Sequence, residues 1–212
     1  QSYFLYGLDQ EQLAASLFPL GGLRKDEVRA LARRLDLPVA EKPESQEICF
    51  VPGDDYARFI RAYTGRDFAP GPIVDRSGRV LGRHKGLARY TVGQRRGLGL
   101  VAPRPLYVLE LRPETNELVV GTEEELYSSI LLAEEVNWVG IGPPLPSSLS
   151  AEAKIRYTAA PAAAAVEPQG EDRALVRFEH PQRAITPGQA VVFYRGDEVL
   201  GGGIIAVPQK IA

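Results

Sequence analysis

Two periods divide the chain. Over the first sixty or so residues the apolar positions recur at helical spacing, and from Gly71 onward they alternate. Asp9 with Gln12 three residues on predicts a helix start, followed by Leu13 and Leu17, and Pro19 with Gly21-Gly22 ends it. Val28, Leu31, Ala32 and Leu35 form the apolar stripe of a second helix over 25–35. Asp26 and Glu27 lie in its first turn and Arg33-Arg34 in its last, as the helix dipole favours. A third helix is predicted to begin at Asp54 and to bury Tyr56, Phe59, Ile60 and Tyr63.

Alternation then predicts strands. Ile73-Val74 and Val80-Leu81 flank the turn Asp75-Arg76-Ser77-Gly78, and residues 107–111 and 118–120 flank a second turn over 112–116. Further strands are expected over 136–139, 151–157, 175–178, 190–194 and 199–207, while the alanine run 159–165 reads as loop or edge strand. Short strands separated by turn signals favour small barrels over a parallel sheet. The expected fold is mainly β with a helical N-terminal segment, divided into 1–53, a central small β domain with one helix over 54–130, and a C-terminal antiparallel β-barrel over 131–212.

Composition adds constraints. Among 212 residues, one cysteine excludes an internal disulfide framework, and two separated histidines argue against a metal site. No run approaches the ~18–20 apolar residues of a membrane span. A reducing, cytoplasmic setting is expected. Methionine is absent, so Gln1 reads as an internal position of a longer chain.

The net charge of −2 conceals a segregation. Residues 76–109 hold no Asp or Glu but carry Arg76, Arg79, Arg83, Lys85, Arg89, Arg95, Arg96 and Arg104, whereas 110–135 hold eight acidic residues against Arg112 alone. Within the basic block, Tyr90-Thr91-Val92-Gly93-Gln94-Arg95-Arg96-Gly97 combines glycines, adjacent arginines that can grip phosphate, and side chains suited to an RNA surface. The alternative is that the two blocks face each other as salt-bridged hairpins. Cys49, between Ile48 and Phe50, fits a buried small hydrophobe; as a thiolate it would need positive charge that Ser45, Gln46 and Glu47 do not bring.

Several motifs in order carry a resemblance. Gln1-Ser2-Tyr3-Phe4-Leu5, Ser45-Gln46-Glu47-Ile48-Cys49-Phe50-Val51, Tyr90 through Gly99, Lys154-Ile155-Arg156-Tyr157, Pro181-Gln182-Arg183-Ala184, Thr186-Pro187-Gly188-Gln189 and Leu200-Gly201-Gly202-Gly203 resemble the tRNA-specific 2-thiouridylase (MnmA/TrmU) family. The resemblance implies ATP-dependent adenylation of the C2 oxygen of the wobble uridine, position 34, and its replacement by sulfur from a cysteine persulfide, with Cys49 as the sulfur carrier. It also implies tRNA contacts at Gln1, Arg156, Tyr157 and Gln189, a persulfide sulfur-carrier protein as partner, no membrane, and a C-terminal barrel like those of translation factors. On a regular strand Arg156 and Tyr157 would face opposite sides, so one needs a strand end or a bulge to reach RNA.

The family's Ser-Gly-Gly-Val-Asp-Ser phosphate loop and its second cysteine are missing from the 212 residues. ATP with Mg is therefore expected in the full-length protein and not on this portion, which alone should be inactive. The rival expectation is a non-catalytic RNA-binding β module with a structural Cys49.

Overall fold

The structure is a computed structural model that describes residues 2–42, 51, 56–65 and 68–207. Two compact units divide the chain: Glu11–Arg66, and Gln1–Gln10 together with Asp67–Ala212.

In the helical unit, α1 (Gln10–Ala14), α2 (Lys25–Arg34) and α3 (Tyr56–Thr64) follow the predicted order, α1 opening directly after Asp9 at the boundary between the units. The Arg24 backbone N–H donates to the Glu27 carboxylate at 2.6 Å, an acidic group closing the first turn of α2. Near its other end Arg33 pairs with Glu41 at 2.6 Å. Burial departs from expectation. Leu17 is exposed because α1 ends at Ala14, and Leu35 is exposed because it caps α2 from outside the helix. Tyr63 is 83% exposed; it stacks on Phe59 with centroids 6.2 Å apart instead of entering a core. Asp54, the predicted start of the third helix, lies outside the described residues.

The larger unit holds two β structures. The first is a four-stranded sheet ordered β2-β1-β4-β3, from β1 (Gly71–Val74), β2 (Val80–His84), β3 (Tyr107–Arg112) and β4 (Glu117–Gly121). Both predicted hairpins form, yet β1 pairs with β4 in parallel, Ile73 opposite Leu118. This module is thus a mixed sheet and not a small barrel. The direction in which the chain enters β3 after the long 85–106 connection decides that pairing, and alternation within each strand does not specify it.

The second is a closed six-stranded barrel, β10-β5-β8-β7-β6-β9, antiparallel throughout. Its strands are β5 (Tyr127–Asn137), β6 (Leu149–Lys154), β7 (Ala162–Pro168), β8 (Ala174–Arg183), β9 (Ala190–Arg195) and β10 (Glu198–Ile205). β5 begins well before residue 136 and releases Trp138 and Val139, and Trp138 then stacks on Phe193 at 5.7 Å. The alanine run is no edge: β7 pairs on both sides, with β6 and β8. Six strands enclose a narrow interior, and Ala133, Ala151, Ala153, Ala164 and Ala174 fit it where larger side chains would crowd.

A 3-10 segment, Ser2–Gly7, lies on this barrel. Asn137 Nδ2 donates to the carbonyls of Tyr6 (2.7 Å) and Leu8 (3.0 Å). A methyl at Gly202 would sit 2.7 Å from the Tyr6 ring and from the Val191 carbonyl, so the glycine motif in β10 leaves room for this segment. Tyr3 packs with Val192 and Tyr194.

Candidate nucleic-acid interface

The basic block is largely free of acidic partners. Arg76 pairs with Glu125 at 3.1 Å, and Arg79 with Asp75 at 3.1 Å, where the Ser77 hydroxyl bonded to Asp75 holds that carboxyl below its ordinary range. Arg83, Lys85, Arg89, Arg95 and Arg96 are exposed, and none has an ion pair among the described residues. Across the two blocks, Arg76–Glu125 is the single salt bridge among the described residues. Elsewhere Arg112 takes Glu110 and Glu117, Arg183 takes Glu123, and Arg173 takes Glu134.

The Arg95–Arg96 loop is built from its own polar groups. Gly93 N–H donates to the Val108 carbonyl at 2.8 Å, and Val108 N–H returns a bond to the Gln94 carbonyl at 2.9 Å, which fixes the loop to β3. The Gln94 side chain accepts from Thr91 N–H (3.1 Å) and donates to the Arg96 carbonyl (2.8 Å). It is therefore occupied within the loop. Tyr90, expected on the RNA-facing surface, is buried in the sheet core edge-on to His84 at 5.9 Å. Its apolar body completes that core, so the block offers cations and no aromatic face from Tyr90. Beyond the arginine pair, Arg95, Leu98, Leu100, Pro103, Arg104 and Leu106 help line a cleft of about 370 Å³.

The second stretch lies at the end of β6. The strand stops at Lys154, so Arg156 and Tyr157 escape strict alternation and diverge from the turn after it. Tyr157 is 49% exposed and Phe4 66% exposed, their rings 5.2 Å apart and tilted by 31°. The Lys154 ammonium lies 5.6 Å from the Tyr157 ring centroid and 5.9 Å from that of Tyr3. Tyr3 donates to the Ala190 carbonyl at 2.8 Å, next to Gln189, whose backbone carbonyl accepts from Ile205 N–H at 2.8 Å. Arg156, Tyr157 and Gln189, separated by up to 33 positions, thus gather around the Ser2–Gly7 segment. Phe4 and Lys154 join them without having been singled out by sequence reasoning. Their signal was the pair of adjacent aromatics at Tyr3-Phe4, which says nothing of which ring stays exposed. Gln1 and Cys49 lie outside the described residues.

The two stretches meet at Ala184. The Arg156 guanidinium donates to the Ala184 carbonyl, while a methyl on Gly93 would come within 3.0 Å of the Ala184 Cβ. The resulting surface combines unpaired guanidinium groups with open aromatic faces, a pairing suited to phosphates and unstacked bases.

Burial, with the neighbouring Tyr6 and Tyr194 adding to it and Arg156 opposing, pushes the Tyr3 hydroxyl up to about 12. An acid whose pKa is raised on folding contributes stability below its unfolded value near 10 and loses it as pH rises through about 12. The upward shift is worth roughly 2–3 kcal/mol. Between those pH values the Ser2–Gly7 segment is expected to loosen, and ultraviolet titration of tyrosinate should show Tyr3 as the last group to titrate, after Tyr6, which burial also pushes up, and that last step should disappear in Tyr3→Phe. Titration of every tyrosine near the ordinary value would contradict this.

Among the described residues no cluster of three or more His, Cys, Asp or Glu could hold a metal ion, and no helix is long and apolar enough to cross a membrane.

Comparison with known proteins places these features. Three family models match successive parts of the chain: a tRNA methyl transferase HUP domain over 1–53, a tRNA methyl transferase PRC-barrel domain over 57–122, and an aminomethyltransferase beta-barrel domain over 128–205. The tRNA-specific 2-thiouridylase MnmA of Carboxydothermus hydrogenoformans is 53% identical over 97% of this chain and 56% of its own length. That of Geotalea uraniireducens is 55% identical over 100% of this chain and 56% of its own, and that of Symbiobacterium thermophilum 52% over 97% and 52%. The chain spans little more than half the length of the curated relatives it matches. On this homology, which extends over nearly all of its residues, the chain belongs to the MnmA/TrmU tRNA-specific 2-thiouridylase family.

Proposed function

We propose that the chain is the C-terminal portion of a tRNA 2-thiouridylase, in which residues 1–53 end the catalytic domain, 54–130 form a central domain and 131–212 a tRNA-gripping barrel. Cys49 carries sulfur as a persulfide, received from a carrier protein, and delivers it to C2 of the wobble uridine at position 34. Arg95, Arg96, Arg156, Tyr157, Gln189 and Gln1 bind the tRNA. The observation that supports the reading most is the junction at Ala184, which joins the unpaired Arg95–Arg96 loop to the Lys154–Tyr157 cluster on one unit.

The residues present do not fit an ATP–Mg site. They include no glycine-rich phosphate loop, and the described ones include no metal-binding cluster. Adenylation is accordingly assigned to the nucleotide-binding domain of the full-length protein. What this portion contributes is the sulfur-carrying Cys49 together with charge and shape for the tRNA, in a cytoplasmic setting.

Affinity for tRNA measured across salt concentrations tests the reading. Phosphate contacts release counterions, so binding should weaken steeply with salt. Arg95→Ala/Arg96→Ala is expected to weaken binding by about tenfold and to reduce the logarithmic salt slope by up to about 2. Unchanged affinity and slope would make the arginine pair ordinary solvated surface.

A further inference from the structure

We propose that Phe4 is a stacking surface for an unpaired base of the bound RNA, and that Lys154 holds the phosphate of the same nucleotide. The proposal rests on the RNA-binding reading above and adds two residues to it.

Tyr3 and Phe4 are adjacent aromatics with opposite fates. Tyr3 is anchored inward: its hydroxyl donates to the Ala190 carbonyl at 2.8 Å, and its ring packs with Val192 and Tyr194. Phe4 is left outside, 66% exposed. The segment that carries it is held to the barrel by the two bonds from Asn137 Nδ2 to the carbonyls of Tyr6 and Leu8. An exposed phenylalanine on its own is ordinary surface. Here the ring is fixed beside a second one. Tyr157 lies 5.2 Å away with its plane tilted by only 31°, and Tyr3 meets both rings edge-on, at 5.4 Å and 6.0 Å. Phe4 and Tyr157 thus form an open ledge two rings wide, braced by a third.

A flat, braced aromatic ledge fits a flat partner. Base–aromatic stacking accepts any base, and rings already held in place lose little freedom when a base arrives. The ledge also carries its own cation. The Lys154 ammonium lies 5.6 Å from the Tyr157 ring centroid and 5.9 Å from that of Tyr3, and it has no ion pair among the described residues. An apolar protein segment laid over the rings would strip water from that ammonium and give it no partner, whereas a nucleotide brings a phosphate. A paired base keeps its faces inside its own helix, so the occupant is an unpaired nucleotide, its base on Phe4 and its phosphate at Lys154.

Affinity of the chain for tRNA across salt concentrations tests both roles. Phe4→Ala is expected to weaken binding by about tenfold with an unchanged salt slope, because the lost contact carries no charge. Lys154→Gln should also weaken it but lower the logarithmic salt slope by about 1. Phe4→Trp should keep the affinity, and Phe4→Leu, apolar but without a π-face, should share the loss. Since the ring is exposed, melting temperatures of the Phe4 variants should stay within about 2 °C of the unmutated chain. Indole fluorescence of Phe4→Trp should be quenched by tRNA beyond any change in the unmutated chain, whose one tryptophan is Trp138. That readout reports stacking directly and serves if Phe4→Ala does not fold. Full affinity in Phe4→Ala, or an unquenched indole, would overturn the stacking role, and an unchanged slope in Lys154→Gln the phosphate role. Full affinity in Phe4→Leu would also overturn stacking, leaving a plain apolar contact of the kind a protein partner makes. These failures leave the test of the arginine pair standing, whereas an unmutated chain without affinity for tRNA fails the RNA-binding reading itself.

Discussion

On the proposed reading, replacing Cys49 with alanine in a full-length protein that carries a nucleotide-binding domain is expected to lower 2-thiouridine formation by at least about a thousandfold while tRNA affinity stays within about twofold. A cysteine that carries the transferred sulfur is a covalent participant, so its loss removes the reaction path and not merely some transition-state stabilisation. A buried structural cysteine behaves differently. Its truncation to alanine removes one sulfur atom from an apolar environment, costs about 1–2 kcal/mol of stability and leaves turnover of the folded protein intact. Mass spectrometry of tRNA nucleosides, together with thermal unfolding of the same variant, separates the two. Full thiolation with a lowered melting temperature would make this chain's contribution one of RNA binding alone. The local sequence makes the test sharp, because Ser45, Gln46 and Glu47 supply no cation to generate a reactive thiolate.

The strands were legible where turns punctuated them. Asp75-Arg76-Ser77-Gly78 and Arg112 through Asn116 both mark tight reversals, and both hairpins form where those residues place them. β7 was hidden for a physical reason: alanine carries little strand preference, and what selects it is the narrow radius of a barrel closed by residues up to forty positions away. Tyr90 shows a second limit. An aromatic among arginines reads as a stacking surface, yet its ring fills the core that His84 and Leu118 line. Exposed arginines can be inferred from an acid-free stretch, whereas the direction of one aromatic side chain depends on the packing of a whole sheet. The junction at Ala184 lay beyond sequence reasoning altogether, since Gly93, Arg156 and Ala184 are distant in the chain and none is chemically unusual. The roles of Cys49 and Gln1 came from the resemblance alone.

Gly71→Ala is expected to destabilise the mixed sheet by about 3–5 kcal/mol, the sum of an overpacking term and a broken buried hydrogen bond. A Cβ at this position would lie 2.1 Å from the Asn116 carbonyl oxygen, 2.6 Å from His84 Nε2 and 2.8 Å from Asn116 Nδ2. None of the three can yield cheaply. His84 is 1% exposed; its Nδ1 accepts from Gly86 N–H at 3.0 Å, so the ring is neutral and Nε2–H donates to the Asn116 carbonyl at 2.9 Å. Asn116 sits at φ +52° in the β3–β4 turn, its Nδ2 donating toward the carbonyls of Ala69 (3.2 Å) and Pro70 (3.3 Å). Moving the Asn116 carbonyl breaks the histidine bond; moving the imidazole strips Gly86 of its acceptor. The melting temperature should fall by roughly 10 °C or more. Gly142→Ala, where a new Cβ meets open space, should leave it unchanged. Because Val108 of the same sheet holds Gly93 and Gln94 in place, the loss should reach tRNA affinity as well. Equal melting temperatures for Gly71→Ala and the unmutated chain would mean that the β1–β4 edge relaxes without cost, and the loop would then need another anchor than this sheet.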